Sequence, residues 1–361
     1  MKLAFVVNDV QTRKPGHATI RLAARAHAAG HEVWLTGVGS LSCDTDGTVH
    51  AQAWAAGPTK HRSPEAYLKS LLGTKGRRAR VSLSSCDVVM LRSNPAAEAA
   101  SRSWGQYVGI LFGRLLVSHG VLVINDPEGL ARGLNKIYLQ EFPEEVKPET
   151  LITRARDDVK KFVAQHGKVV AKPLQGSGGQ GVFLLRAEDR ANLNQIVDTL
   201  TGGGYLICQE YLPAAELGDT RLLMLNGEPL KLRGKYAAFC RRRAEGDLRS
   251  NVHAGGTVEP AEVDETMLRV ASVVGPKLKH DGMFFVGLDI VGDKILEVNI
   301  FSPGGLGNAH KVTSVEFTGA VIEALEKKVE AKRLYGPRLT NTELAILERG
   351  AMTGGVGSLV G

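Results

Sequence analysis

Hydrophobic and polar positions in this chain switch between a period near two and a period near 3.6, and the switches mark out its elements. Leu3–Val7 is a continuous apolar run of strand length. Ile20, Leu22, Ala23, Ala26 and Ala28–Ala29 then recur at helical spacing and stop at Gly30. Glu32–Gly37 is a second strand, a helical stretch lies near Tyr67–Leu72, and Cys86–Leu91 is a third strand. Helical spacing over 101–119 leads to a fourth strand, Val121–Asn125. Strands alternating with helices predict a parallel α/β sheet in the first third of the chain. Ligands of such sheets sit at the carboxyl ends of the strands. Those ends carry Asn8–Asp9 and Arg92–Ser93–Asn94–Pro95. An arginine leaving a buried strand is placed to clamp a carboxylate.

Beyond Asp126 the pattern changes. Leu130, Leu134, Ile137 and Tyr138 predict a short helix carrying Lys136, followed by a strand at 149–153 and a helix at 155–165. Lys168–Arg186, KVVAKPLQGSGGQGVFLLR, reads as strand, glycine loop, strand. A helix at 192–200, a strand at 205–211 and a hairpin turning at Asn226–Gly227 follow. An arginine-dense loop at 241–251 precedes a helix at 262–279. A second hairpin spans Val286–Asn299, and helical spacing returns through Val315, Val321, Ile322 and Leu325.

Two of these stretches carry candidate chemistry. In VGLDIVGDKILEVN the pair Gly292–Asp293 turns between two apolar strands. Period two puts Glu297 and Asn299 on one face, and Asp289 can sit opposite them. Two carboxylates and an amide inside an apolar hairpin call for a cation, and hard oxygen donors without His or Cys suit Mg²⁺ or Mn²⁺. In the glycine loop, Gly176, Gly178 and Gly181 form a G-x-G-x-x-G match, but they join two strands instead of leading into a helix. No Lys-Ser or Lys-Thr follows. Neither a dinucleotide fingerprint nor a Walker A loop is therefore indicated. A glycine flap whose backbone N–H groups close over phosphates is the alternative. Lys172, in the apolar context VVAKPL, is expected to face a buried anion.

Composition narrows the picture. The chain has 361 residues, enough for two or three domains, with 43% hydrophobic and 23% charged residues. No apolar run approaches the roughly 18 residues of a membrane span, and MKLAFVVND reads as a first strand, so a cytoplasmic location is expected. The four cysteines have no paired spacing. The net charge of +7 admits a nucleic-acid partner. However, its main cluster, Lys75–Arg80, lacks interleaved aromatics and is expected to be a solvated loop. A basic cleft for phosphates or carboxylates accounts for the charge as well.

The order Asn135-Lys136, PETLIT (148–153), AKPLQGSGG (171–179), QEYLP (209–213), GDTRLL (218–223), LRSNVHAGG (248–256) and GLDIVGDKILEVNIFSP (287–303) resembles the ATP-grasp enzymes, in particular the bacterial glutathione synthetase family. The resemblance runs from about Leu3 to Val329. It implies an α/β protein in which a Rossmann-like parallel pre-ATP-grasp domain (1–124) precedes an ATP-grasp fold. That fold would divide into a subdomain with the glycine lid (125–210) and one with the metal site (211–345), before a flexible tail (346–361). It implies nucleotide contacts from Lys136, Lys172 and the lid residues Gly176, Ser177, Gly178 and Gly179. The hinge Gln209, Glu210, Tyr211 and Leu212 would read adenine, and Asp219 would hold the ribose. Two Mg²⁺ ions, replaceable by Mn²⁺, would bind Asp289, Glu297 and Asn299. Arg221, Arg241, Arg249 and Asn251 would face the γ-phosphate and the activated carboxylate; Arg242 and Arg243 are expected to face solvent.

The substrate side departs from the family pattern. Arg92-Ser93-Asn94-Pro95-Ala96 stands where the family reads Arg-Lys-Asp-Pro-Pro, and Ser302-Pro303-Gly304-Gly305 where it reads Ser-Pro-Thr-Cys. Arg92, Asn94, Ser302, Gly304 and Gly305 are the residues expected at the peptide substrate. The implied activity is ATP-dependent ligation of a carboxylate to an amine through an acyl phosphate, as in joining γ-glutamylcysteine to glycine. The alternatives are a related ligase with another acyl or amine substrate, a nucleotide binder without catalysis, and a nucleic-acid binder. Small peptide or amino-acid substrates and a homo-oligomer are the expected partners, with neither membrane nor nucleic acid.

Overall fold

A computed structural model describes residues 1–99, 102–174, 176, 181–188, 190–242, 256–336 and 338–352. The first sheet forms where the sequence alternates strand and helix. β1 (Lys2–Val7) leads through α1 (Ala18–Ala28) to β2 (Glu32–Gly37), and these strands pair in parallel. β3 (Leu41–Cys43) and β4 (Val49–Ala55) come next, then α2 (Pro64–Leu72) and β5 (Arg77–Ser82). β6 (Val88–Leu91), the short α3 (Pro95–Glu98), α4 (Gly105–Ser118) and β7 (Leu122–Ile124) complete the unit. The order is β3-β4-β2-β1-β6-β7, with β5 on the outer edge of β4. β1, β2, β6 and β7 form the expected parallel centre.

The antiparallel edge was not expected, and it corrects the reading of Lys75–Arg80. This stretch is largely strand β5, not a loop. Arg77 and Arg78 lie over the rings of Trp34 and Trp54, 5.1 and 3.9 Å from their centroids. Their aromatic partners come from β2 and β4, so they are invisible to a local reading. Charged residues on an edge strand also discourage edge-to-edge pairing.

The helix expected through Leu130–Tyr138 is two pieces. α5 (Pro127–Arg132) starts at the Asp126 cap and stops at Gly133, and a 3-10 turn, Lys136–Glu141, starts at the Asn135 cap. Gly133 caps the helix, and a Cβ there would collide with Ile300, which accounts for the glycine. β8 (Thr150–Thr153), α6 (Arg156–His166), β9 (Lys168–Pro173), β10 (Phe183–Arg186), α7 (Arg190–Gly202) and β11 (Leu206–Glu210) build an antiparallel sheet, ordered β10-β9-β11-β8. It has its own small core, including Val159, Val163, Val169, Ala171, Leu185 and Leu206.

β12 (Asp219–Leu225) pairs with β13 (Glu228–Pro229) around Asn226–Gly227, and β14 (Lys231–Leu232) with β15 (Lys235–Tyr236). β16 (Ala238–Arg242) and β17 (Thr257–Glu259) follow, on either side of residues 243–255, which lie outside the described residues. α8 (Glu265–His280), β18 (Phe285–Val291), β19 (Lys294–Asn299), α9 (Leu306–Thr313), α10 (Thr318–Tyr335) and α11 (Asn341–Met352) follow. The third sheet runs β17-β16-β12-β18-β19. Val315, expected on a helix, lies between α9 and α10. Residues 346–352, expected in a flexible tail, continue α11, while 353–361 lie outside the described residues.

The first and third sheets share continuous apolar clusters: Ala4 and Val6 of β1 belong with Leu222, Met224, Val286 and Leu288. Asn125 fastens the same seam. Its buried side chain donates to the carbonyls of Phe285 (3.0 Å) and Ile300 (2.6 Å) and accepts from the amides of Phe284 and Phe285. All four cysteines are free thiols. No helix among the described residues is long and apolar enough to cross a membrane.

Candidate active site

The β18–β19 hairpin turns at Gly292–Asp293 as expected, with Gly292 at φ +57°. Asp289 lies directly opposite Glu297, and Gly287 opposite Asn299, so the three oxygen-bearing side chains share one face. A register shift between Asp289 and Ile290 adds a residue to β19 at this point. β12 and β16 bring arginines to the same face: Arg221 is paired with Asp289, and Arg241 with Asp219.

The result is a buried charge network. Arg221 donates through Nε and Nη2 to the two oxygens of Asp289, each at 2.6 Å. Arg241 reaches Asp289 Oδ2 at 2.8 Å and Asp219 Oδ2 through Nε at 3.0 Å. Asn299 Nδ2 lies 3.2 Å from Asp289 Oδ2. Burial opposes charge on Asp289, but Arg221 and Arg241 override it and hold the carboxyl well below the usual carboxylate range. Arg241 is likewise desolvated, yet Asp289 and Asp219 hold it firmly protonated. By contrast, Glu297 makes no hydrogen bond or ion pair among the described residues.

Alternation in β9 sends Val169 and Ala171 into the core of its sheet and leaves Lys172 on the other face. Lys136, first residue of the 3-10 turn, donates through Nζ to the Gly176 carbonyl at 2.8 Å. Both lysines line one cleft with Asn94, Gly176, Glu297, Asn299 and Ser302. Burial lowers the pKa of each, Lys172 to about 8, while Glu297 opposes the shift. Two desolvated ammonium groups beside an open carboxylate make an anion site that also has a ligand for a cation.

Other expected residues occupy distinct places. Gln209 is buried and donates to Thr150 Oγ1 at 3.2 Å, and the Glu210 carboxylate accepts from the Glu149 amide at 2.9 Å. The Glu210 and Tyr211 amides donate to the carbonyls of Glu149 and Lys168, and the Leu212 carbonyl accepts from Ala215. Arg92 is buried at the end of β6. It donates to Thr19 Oγ1 (3.2 Å) and to the Pro303 carbonyl (2.8 Å) and has no carboxylate partner among the described residues. Burial, aided by Arg13, pushes its pKa down to about 9. Asn94 caps α3 through the Ala96 amide. Gly305 takes φ +113° at the start of α9, where a Cβ would stand 2.5 Å from the Phe239 ring; Gly304 lies in open space. Ser177, Gly178, Gly179, Arg243, Arg249 and Asn251 lie outside the described residues, and Arg242 is exposed and pairs with Glu259.

The cleft also contains residues that were not singled out: Leu134, Tyr138, Leu139, Ile207, Val298 and Phe301. They form an apolar wall beside the lysines. Leu134 and Tyr138 fit the helical pattern of the sequence, and no periodicity distinguishes a wall residue from a core residue.

The donor set fits a hard divalent cation. Glu297 is open, Asn299 adjoins it, and both offer oxygen donors; among the described residues no group of three or more His, Cys, Asp and Glu side chains is disposed to hold a metal ion. The oxygens of Asp289 are already engaged by Arg221, Arg241 and Asn299, so cation binding there requires exchange of a donor.

Residues 1–131 match the family model described as prokaryotic glutathione synthetase, N-terminal domain, and residues 135–314 match prokaryotic glutathione synthetase, ATP-grasp domain. A glutathione synthetase of Gloeobacter violaceus is 33% identical over 336 residues, covering 90% of this chain and 96% of that protein. One of Synechocystis is 31% identical over 338 residues, covering 91% and 100%. Among solved structures, D-cycloserine synthetase superposes with a TM-score of 0.60 at 17% identity, covering 90% of this chain and all of its own (100%). The ATP-grasp ligase PsnB, complexed with a minimal precursor, Mg and ADP, superposes at 0.56 and 17%, covering 91% and 98%. At these identities the structural likeness is one of fold.

Proposed function

We propose that this chain, which belongs to the prokaryotic glutathione synthetase family, joins the cysteinyl carboxylate of γ-glutamylcysteine to the amine of glycine at the expense of ATP. The observation that carries this reading is the convergence of Lys136, Lys172, Glu297 and Asn299 on one cleft, directly beside the Arg221–Asp289–Arg241 network. ATP-grasp ligases use ATP with divalent metal ions, and here Glu297, Asn299 and Asp289 would hold two Mg²⁺ ions.

A carboxylate is inert towards amines in water, so it must first become an acyl phosphate. A carboxylate oxygen attacks the γ-phosphorus and ADP leaves; the glycine amine then attacks the acyl carbon, phosphate departs, and the amine proton is lost. The first step brings two anions together. Lys136 and Lys172 would hold phosphate oxygens, and Arg221 and Arg241 would face the oxygens that gain charge. Bound divalent cations supply further charge neutralisation. The hinge 209–212 would read adenine and Asp219 the ribose. The Gly176–Gly181 segment would exclude water from an intermediate that water destroys. On the substrate side, Arg92 supports this reading as a buried cation without a carboxylate partner among the described residues, joined to the Ser302–Gly305 segment through the Pro303 carbonyl. The test is isotopic: with the acyl carboxylate labelled by ¹⁸O, one labelled oxygen should appear in the released phosphate. Unlabelled phosphate accompanying peptide product would exclude the acyl phosphate.

A further inference from the structure

Lys136 does not sit on a sheet strand as Lys172 does. It opens a 3-10 turn, Lys136–Glu141, and while its ammonium donates to the Gly176 carbonyl, the backbone that carries it depends on what holds that turn. The structure supplies an anchor at the C-terminal end of α8. Asp281 has a fully buried carboxylate, and its Oδ2 accepts from the Tyr138 hydroxyl and the Lys277 ammonium, at 2.8 and 2.7 Å. Lys277 also donates to Glu141 Oε2 at 2.7 Å. The turn is thus clipped to α8 at two points, Tyr138 and Glu141. The Tyr138 ring packs edge-on against Phe142 at 5.2 Å, with the Lys277 ammonium 5.3 Å from the Tyr138 centroid.

The same corner continues into the hairpin that carries Asp289, Glu297 and Asn299. The Gly282 carbonyl accepts from the Asp126 amide at 3.0 Å and from Asn341 Nδ2 at 2.6 Å, and Phe285 starts β18 shortly after. A buried carboxylate with several charged or hydroxyl donors has little freedom to move, because any displacement leaves charge unpaired.

We propose that Tyr138, Asp281 and Lys277 form a positioning cluster that sets the Lys136 ammonium against the nucleotide phosphates and keeps it in register with the metal hairpin. The Tyr138 ring stands in the cleft wall, but its hydroxyl is committed to Asp281, and in this scheme that hydroxyl and Asp281 act through Lys136. The proposal rests on the cleft being the nucleotide site.

The experiment measures binding of Mg²⁺ and the non-hydrolysable analogue AMPPNP by calorimetry to the full chain, without acyl or amine substrate. Tyr138→Phe keeps the ring and removes one hydroxyl. It should weaken binding about tenfold, a partial loss of one charged contact. In a Lys136→Met background the same change should have no further effect, because its route is already severed. Glu141→Gln, which weakens the second clip, should act in the same direction and also vanish in that background. A Tyr138→Phe effect of equal size with and without Lys136, or no effect at all, would overturn the proposal. Wild-type protein that fails to bind the analogue would remove both this proposal and the nucleotide reading. Binding without glutathione formation would remove only the substrate assignment.

Discussion

Replacing Lys172 with methionine should make the free protein more stable and its nucleotide complex much weaker. Burial moves the Lys172 ammonium from its ordinary 10.5 to about 8. Such a shift corresponds to at most about 3 kcal/mol of unfavourable folding free energy at neutral pH. Lys172 retains some solvent contact, so about half of that is the working figure. Methionine has nearly the same length without the charge, and should raise the melting temperature at pH 7 by several degrees, about 3–6 °C. The sign follows from linkage. The lysine pKa is lower in the folded chain than in the unfolded one, so the penalty is fully present below about pH 8 and fades as pH rises towards 10.5. The stability gap between variant and wild type should therefore close over that interval. Nucleotide phosphates restore the ammonium's preference for its proton. Losing the contact should weaken Mg²⁺–AMPPNP binding by about 10–100-fold. Thermal melts at pH 7 and pH 9.5, with and without the analogue, read both effects. A methionine variant that is less stable at pH 7, or that binds the analogue like wild type, would refute the reasoning.

Three further outcomes are expected. Glu297→Ala removes the open carboxylate of the hairpin and should nearly abolish turnover while circular dichroism and melting stay close to wild type; near-normal turnover would exclude the metal assignment. Arg92→Ala frees the Pro303 carbonyl and the Ser302–Gly305 segment, and steady-state kinetics should show a raised KM for the acyl substrate with little change in that for ATP. Asn125→Leu leaves the Phe284 and Phe285 amides and the Phe285 and Ile300 carbonyls without their partner. It should cost about 3 kcal/mol or more in denaturant titration, since each unsatisfied buried group costs about 1–3 kcal/mol.

The parts of the site that were legible in the sequence are those governed by strand periodicity. Alternation placed Glu297 and Asn299 on one face, and the Gly292–Asp293 turn set Asp289 opposite Glu297. Lys172 was expected to face a buried anion because its neighbours in VVAKPL are apolar; the structure pairs those neighbours into the centre of a sheet and leaves Lys172 half-buried on the cleft side. Pairings distant in sequence were not legible. Arg77 and Arg78 looked like solvated loop charges because Trp34 and Trp54, the rings beneath them, lie tens of residues away. The expected helix through Leu130–Tyr138 ends at the Gly133 cap, where Ile300, just past β19, approaches from far along the chain. Arg221 and Arg241 were placed near the γ-phosphate by resemblance, but their mutual link through Asp289 emerges only when β12, β16 and β18 lie side by side.

The central claim is the identity of the bond formed. The most direct measurement is ATP-dependent phosphate release with γ-glutamylcysteine, glycine and Mg²⁺, with mass spectrometry of the peptide product and a parallel panel of other amines and γ-glutamyl or β-amino acyl donors. The account predicts stoichiometric glutathione, ADP and phosphate, with glycine preferred over the other amines. Analogue binding without glutathione, together with turnover of a different carboxylate–amine pair, would contradict it and assign the altered Ser93–Ala96 and Gly304–Gly305 positions to that other substrate.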